Sequence, residues 1–438
     1  MPFDTDQQTL LDLSLTGING QPAIYQVFKP VTLGGVALLK DLFDRPLNDI
    51  AAIKQRLDAI RFLETRQTQI HLDKEETDFI EYYLKTYNRP EITSKFSAIR
   101  NALKNRLRPD NPYYITTRGV RLLTKLVINI TEAFEPFADE LPLLLQEYRE
   151  QILALAGYIR LHLIQKSKTG KAFSAIEQEE LDFIYRYKRA DVVMHFMNGL
   201  YQLDVFMAAG KTVHELNFAY PELISQGTEL SILGFFHPFI PNPVPNDIAF
   251  DAQQNLCFVT GANMAGKSTV LKAIGICVYL AHIGFPVPAA QMRTTVFNGM
   301  FTTINLSDNI MAGHSHFYRE VLRIKEVAHK TGSVQNILVI FDELFRGTNV
   351  KDAHDASLAI IKAFSGVRNS VFIVSTHIVE VADELQGVEN IFFRCLTTGI
   401  KDQKAVYNYK LQPGISHEKL GMRIIEDEGL VAMIRAQQ

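Results

Sequence analysis

At 438 residues, with a net charge of −3 and an ordinary share of apolar residues, the chain is long enough for two or three buried cores and is neither disordered nor broadly basic. Any contact with nucleic acid therefore has to come from a local patch. Cys257, Cys277 and Cys395 are scattered without a C-x-x-C pair, which argues against a zinc or disulfide framework and for a reduced, cytoplasmic protein.

The N-terminus, Met1-Pro2-Phe3-Asp4-Thr5-Asp6, carries neither the basic nor the apolar region of a signal peptide. From there to about residue 230, apolar spacing of three and four residues predicts helices over 34–64, 117–135, 139–167, 175–208 and 210–216. Asp110-Asn111-Pro112 and Lys168-Thr169-Gly170 mark turns between them. No period of about 20–50 residues repeats, so a solenoid is not expected. Charge is uneven in this half: Lys95, Arg100, Lys104, Arg106, Arg108, Arg118, Arg121 and Lys125 stand against Asp110 alone. An acidic stretch follows, from Glu132 to Glu150. The basic run is a surface for phosphate backbone, or else a solvated helix face or one paired with those acids.

After residue 230 the pattern changes. Pro238, Pro241, Pro243 and Pro245 suit an extended entry segment. Short apolar runs at 256–260, 337–341 and 370–375 then alternate with helical stretches, as in a mostly parallel sheet covered by helices. The first run leads into Thr260-Gly261-Ala262-Asn263-Met264-Ala265-Gly266-Lys267-Ser268-Thr269, which fits the phosphate-loop pattern G-x-x-x-x-G-K-[ST]. At a strand-to-helix turn, backbone N–H groups and the helix dipole hold phosphate oxygens; Lys267 reaches the β- and γ-phosphates, and Ser268 ligates Mg²⁺. The apolar stretch at 270–290 contains Lys272, His282, Gly284, Pro286 and Pro288, so it reads as a core helix and turn and not as a membrane span.

The second apolar run ends in Asp342-Glu343. A carboxylate at such a strand tip suits the Mg²⁺ shell, and its neighbour suits activation of the attacking water. The third run ends in Ser375-Thr376-His377, where His377 can meet a γ-phosphate or orient the water. The order of these elements suggests a P-loop ATPase of the ATP-binding-cassette type. A Leu-Ser-Gly-Gly-Gln signature is missing, which speaks against a transporter subunit.

In these motifs the chain resembles the MutS family of DNA mismatch-repair ATPases. Thr260–Thr269 is similar to the family's Thr-Gly-Pro-Asn-Met-(Gly/Ala)-Gly-Lys-Ser-Thr, with Ala262 in place of Pro. Phe301 through Glu320 resembles its Phe-Thr-Arg-Ile … Ser-Thr-Phe … Glu segment. Asp342–Asn349 resembles Asp-Glu-Leu-Gly-Arg-Gly-Thr-Ser, and Ser375-Thr376-His377 resembles Ala-Thr-His. Upstream, Arg45-Pro46-Leu47 through Ile60 and Leu200–Val205 resemble the family's helical core, and Tyr407–Arg435 the end of its ATPase domain. The resemblance implies a mainly α-helical core/lever domain over 1–230, with the clamp reduced or absent, and an α/β P-loop ATPase domain over 231–438 ending in a helical dimerisation segment. Nothing precedes that core in the sequence, so the family's mismatch-reading domain is expected to be absent.

The same resemblance implies ATP and Mg²⁺ as ligands. Gly261, Asn263, Met264, Ala265, Gly266, Lys267, Ser268 and Thr269 would hold the nucleotide, Ser268 and Asp342 the metal, and Glu343, His377 and Lys267 would carry the chemistry. It further implies a homodimer in which Ser315 completes the partner's site. Pro243-Val244 stand where the family often has an aromatic residue against adenine, so Tyr409 is expected to supply that packing. Phe345 stands in place of a Gly and is expected to alter a loop facing the partner subunit. The function so implied is a DNA-binding ATPase of mismatch repair or recombination, touching DNA through Lys95, Arg100, Lys104, Arg106 and Arg108. The alternative is an ATP-dependent protein-interaction switch that does not bind DNA.

Overall fold

The structure, a computed structural model, describes residues 3–17, 22–66, 68, 70–86, 111–225, 227–305, 316–345, 348–401, 404–417 and 430–435. In chain order the helices of the first half are α1 (Gln7–Asp12), α2 (Leu33–Asp44), α3 (Ile50–Thr65), α4 (Lys74–Lys85), α5 (Asn111–Phe134), α6 (Leu143–Ala156), α7 (Leu161–Lys168), α8 (Ala175–Phe183) and α9 (Ala190–Glu215). The strands are β1 (Glu222–Ile224), β2 (Leu230–Phe235), β3 (Asn246–Phe250), β4 (Leu256–Gly261), β5 (Gln291–Thr295), β6 (Gly299–Thr303), β7 (Ile337–Phe341), β8 (Val371–Ser375), β9 (Ile391–Lys401) and β10 (Lys404–Pro413). Among them lie α10 (Lys267–Ile283), α11 (His316–Ser333), α12 (Val350–Ser365) and α13 (Val379–Leu385), and α14 (Leu430–Arg435) follows β10. The helical first half and the parallel-rich second half are those predicted from periodicity.

The chain packs as two compact units. One comprises Met1–Val27, Phe43–Lys54 and Thr212–Gln438; the other comprises Phe28–Leu42 and Gln55–Lys211. The second unit is helical throughout its described residues. In its interior Asp204 on α9 accepts from the Val31 amide (2.9 Å), the Thr32 amide (2.8 Å) and the Thr32 hydroxyl (2.7 Å), which caps the start of α2. Tyr83 donates to Asp182 at 2.6 Å, and Asp182 takes a two-pronged contact from Arg186 at 2.7 Å on each oxygen. Arg186 belongs to a π-helical turn, Ile184–Lys188, between α8 and α9.

The first unit holds two sheets. The larger runs β10-β9-β4-β8-β7-β6, with every neighbouring pair parallel except β9–β10. Its central strands β7 and β8 are buried at every position, so they read as continuous apolar runs and not as alternating ones. The smaller sheet runs β1-β5-β2-β3. Helix α10 is buried along nearly its whole length and stops at Gly284, whose φ of 77° is a left-handed cap. Among the described residues no helix is long and apolar enough to cross a membrane.

Several predicted boundaries move. The segment 34–64 is two helices, broken over 45–49, where Pro46 precludes a helical hydrogen bond and the Leu47 amide donates to the His282 carbonyl at 2.8 Å. The segment 139–167 begins after Pro142 and breaks at Gly157. The pieces 175–208 and 210–216 become α8, the π-helical turn and one long α9. Lys95, Arg100, Lys104, Arg106 and Arg108 lie outside the described residues. The rest of the basic run does not pair with the acidic stretch in the described contacts. Lys125 pairs with Glu76 at 2.9 Å and Arg118 stacks 4.4 Å over the Phe79 ring, while Glu132 pairs with Lys168 and Glu140 with Arg66.

His282 in the same core has a consequence for stability. Its Nδ1–H donates to the Leu47 carbonyl at 2.6 Å, and its Nε2 accepts the Phe297 amide at 3.2 Å, so no acceptor is left for a second proton. Burial pushes its pKa down to about 4 from 6.5. The unfolded chain therefore binds a proton that the folded chain refuses, and stability falls as pH drops from about 6.5 toward about 4. Urea midpoints measured from pH 7.5 to 4.5 should fall across that window. In His282→Gln, which keeps one donor and one acceptor, the fall should flatten while stability at pH 7.5 drops by about 1–3 kcal/mol.

Candidate functional site

The nucleotide-type loop is shaped by backbone that most residues resist. Buried β4 delivers the chain into Gly261 at φ 150°, and Met264 (68°) and Gly266 (99°) turn it back into α10. A Cβ on Gly261 would lie 2.8 Å from the Leu396 carbonyl oxygen, so the motif glycine is required by space as well as by φ. The first amides of α10 point into this turn, an arrangement that favours an anion. Lys267 folds back over the loop and donates to the carbonyls of Gly261 (2.8 Å) and Ala262 (3.2 Å).

Three adjacent strands bring the polar groups to it. Asp342 stands at the tip of β7, with its amide on the Thr303 carbonyl at 2.9 Å. One carboxylate oxygen accepts from the Ser268 hydroxyl and the other from the Ser375 hydroxyl at the tip of β8. Glu343 follows in a left-handed conformation (φ 56°), its amide on the Ser375 carbonyl at 3.0 Å. Its carboxylate meets His377 Nε2 at 2.5 Å. Ser268 and Asp342 thus lie together, as do Glu343 and His377.

Ser268, Glu343 and His377 form one side of a cavity of about 740 Å³. Asn263, Met264, Ala265, Gly266, Lys267, Ser268 and Thr269 line it, with Glu343 and His377; Ile240, Pro243, Val244 and Tyr409 give it an apolar wall. Tyr409 lies against the loop, since a Cβ on Gly266 would come within 3.2 Å of its ring. It sits in an irregular part of β10 at φ 53°. Asn246 holds that irregularity: its amide donates to the Tyr409 carbonyl (3.0 Å) and its oxygen accepts the Leu411 amide (2.6 Å).

Asn246, Ser375 and His237 were not singled out as site residues from sequence. Ser375 had a signal, because it precedes the Thr-His pair where the family pattern has Ala. His237 lines the same cavity and accepts the Phe239 amide at Nδ1 (3.3 Å); burial, and secondarily the charge of Lys272, pushes its pKa down to about 4, so the ring is neutral near pH 7. Nothing in the pattern around His237 separates it from a core histidine.

Ser315, Arg346 and Gly347 lie outside the described residues. The Phe345 ring is buried and packs 5.5 Å from that of Phe317, so its bulk goes into the core beneath the acidic pair. It does so at φ 62°, a strained conformation for an aromatic residue.

Residues 257–437 match the family model described as MutS domain V. The match spans the loop, both carboxylates, His377 and Tyr409. The chain is 27% identical over 279 residues, 63% of its length, to the DNA mismatch repair protein MutS of Petrotoga mobilis. It is 32% identical over 226 residues (51% of its length) to that of Anaplasma phagocytophilum, and 30% identical over 235 residues (51%) to that of a Geobacillus species. The matched parts make up 33%, 27% and 26% of those relatives, so the chain spans a third of their length or less. These matches make the C-terminal part of the chain, residues 257–437, MutS-like.

Proposed function

We propose that the chain binds ATP with Mg²⁺ in the cavity above Gly261–Ser268 and hydrolyses it. The observation that carries this reading is the convergence of Lys267, Ser268, Glu343 and His377 on one cavity that also has an apolar wall, with Asp342 held against the Ser268 hydroxyl behind it. The oxygen donors Ser268 and Asp342 suit Mg²⁺, a hard cation that takes a carboxylate, water and substrate phosphate. When bound, it neutralises charge on the phosphate oxygens. The amides of the loop and Lys267 stabilise the same charge. Glu343 takes a proton from the water whose oxygen bonds to the γ-phosphorus as the bond to the β–γ bridging oxygen breaks. His377, in contact with Glu343, orients that carboxylate. Tyr409 packs on the base, with Pro243 and Val244 on the same wall.

The finer organisation belongs to the same proposal: a core/lever domain over 1–230, a P-loop ATPase domain over 231–438, and a homodimer in which Ser315 enters the partner's site. Glu343→Gln should keep fluorescent ATP-analogue binding within about twofold and lower turnover by about 10²-fold or more. Turnover close to that of the unaltered chain would remove Glu343 from the role of base.

The relatives are named for DNA mismatch repair, and we extend that reading to DNA contact through Lys95, Arg100, Lys104, Arg106 and Arg108. Contacts to phosphate make affinity fall steeply with salt, roughly tenfold or more between 50 and 200 mM for a few neutralised phosphates. Anisotropy titrations with duplex, branched and mismatched DNA should show that slope, and replacing Lys104, Arg106 and Arg108 by Ala should flatten it. Salt-independent or absent binding would favour the ATP-dependent protein-interaction switch.

A further inference from the structure

We propose that Asp12, in the N-terminal segment, is a positioning residue for Asp342 and so tunes the response of the site to Mg²⁺. The inference rests on the ATP reading above. Strand β6 is the outer strand of the larger sheet, and among the described residues no further strand lies along its far edge. The N-terminal segment covers that edge. Asp4 forms a parallel bridge with Gly299 at the start of β6, and Asp12 sits at its end.

Asp12 is 1% exposed, yet no described cation faces its carboxylate. One oxygen accepts from the Thr302 hydroxyl (2.8 Å) and the Ile304 amide (2.8 Å); the other accepts from the Asn305 amide (3.0 Å) and Gln8 Nε2 (2.8 Å). A buried carboxylate that accepts several such bonds fixes its donors tightly. The donors bracket Thr303, whose carbonyl accepts the Asp342 amide. Asp12 therefore sets the height of the end of β6, and Thr303 passes that position to the backbone of Asp342. No part of this arrangement touches the cavity, so its loss changes where the metal carboxylate stands without removing a ligand.

The segment is also tied to the phosphate-loop helix. Leu13 packs against Gly275 of α10, where a Cβ would lie 2.8 Å from its side chain. Ser268 and Asp342, carried by α10 and β7, thus share one N-terminal brace.

The test compares the unaltered chain with Asp12→Asn, in which an NH₂ group confronts the Ile304 or Asn305 amide. Two quantities are read: fluorescent ATP-analogue affinity in EDTA and in Mg²⁺, and the Mg²⁺ concentration for half-maximal ATP turnover. Asp12→Asn should bind the analogue in EDTA within about twofold of the unaltered chain, lose most of the affinity that Mg²⁺ adds, and need about tenfold more Mg²⁺ for half-maximal turnover. A smaller folded fraction lowers the amplitude of turnover and leaves the Mg²⁺ midpoint where it was, so the midpoint separates positioning from simple destabilisation. Thr302→Val, which removes one donor and keeps the shape, should move the midpoint in the same direction by a smaller factor, and it carries the test if Asp12→Asn does not fold. Asp4→Asn, which removes the charge from the 2.7 Å contact of this segment with Lys330, should leave the midpoint unchanged. An unmoved midpoint and an intact Mg²⁺ gain in folded Asp12→Asn, or in Thr302→Val if that variant stands in, would overturn the proposal. Failure of the unaltered chain to bind or turn over ATP would overturn the underlying reading instead.

Discussion

The carboxylate of Asp342 sets the terms for the rest of the site. It is nearly buried, and a charge taken out of water has to be repaid by close hydrogen bonds. The repayment comes from two serine hydroxyls on different elements, Ser268 at the start of α10 and Ser375 at the tip of β8. This is possible because β4, β8 and β7 are adjacent and parallel, with Val259 beside Ser375 and Phe341 beside Val374. A shift of one residue in any of these registers would turn a hydroxyl to the other face of the sheet. The continuous apolar sequences of the three strands hold the registers by burial on both faces, and the polar residues appear only where the strands end.

Strain is concentrated around the same point. Asn242, Met264, Glu343, Phe345 and Tyr409 all have positive φ without being glycine, and all but Phe345 line the cavity. Such conformations persist where the surroundings over-determine them. For Phe345 the compensation is visible in its ring packing against Phe317. For Tyr409 it is Asn246, which satisfies the groups on both sides of the irregular strand.

The contiguous parts of the site were legible in the sequence because each is a short run with a fixed local geometry. Gly261 and Gly266 announce a loop that only glycine fits, and Asp342-Glu343 and His377 each close an apolar run. The helical first half was legible from its spacing, though its breaks at Pro46 and Gly157 were read through. What escaped is what depends on distant pairing. Asn246 looks like any polar residue in a proline-rich entry, and its role exists only because β10 bulges beside it. The direction of the Phe345 ring was not legible, since nothing near it in sequence points to Phe317. The four-stranded sheet was missed because β1 and β5 are short and partly exposed, with little apolar signal.

The first compact unit is assembled from the two ends of the chain, and this shapes how the protein comes into being. Asp12 and Thr302 are 290 positions apart, and the whole helical unit is made in the interval. At synthesis rates of roughly 5–20 residues per second, the first residues of the chain spend about 15–60 seconds without the strand they will cover. The helical unit has its entire sequence during that time and can fold as an insert. Buried Phe3, Leu13 and Leu15 have no such option, so the nascent N-terminus carries apolar side chains that stay unburied until the sheet appears. That makes the segment which braces the finished sheet a natural point for a chaperone to hold.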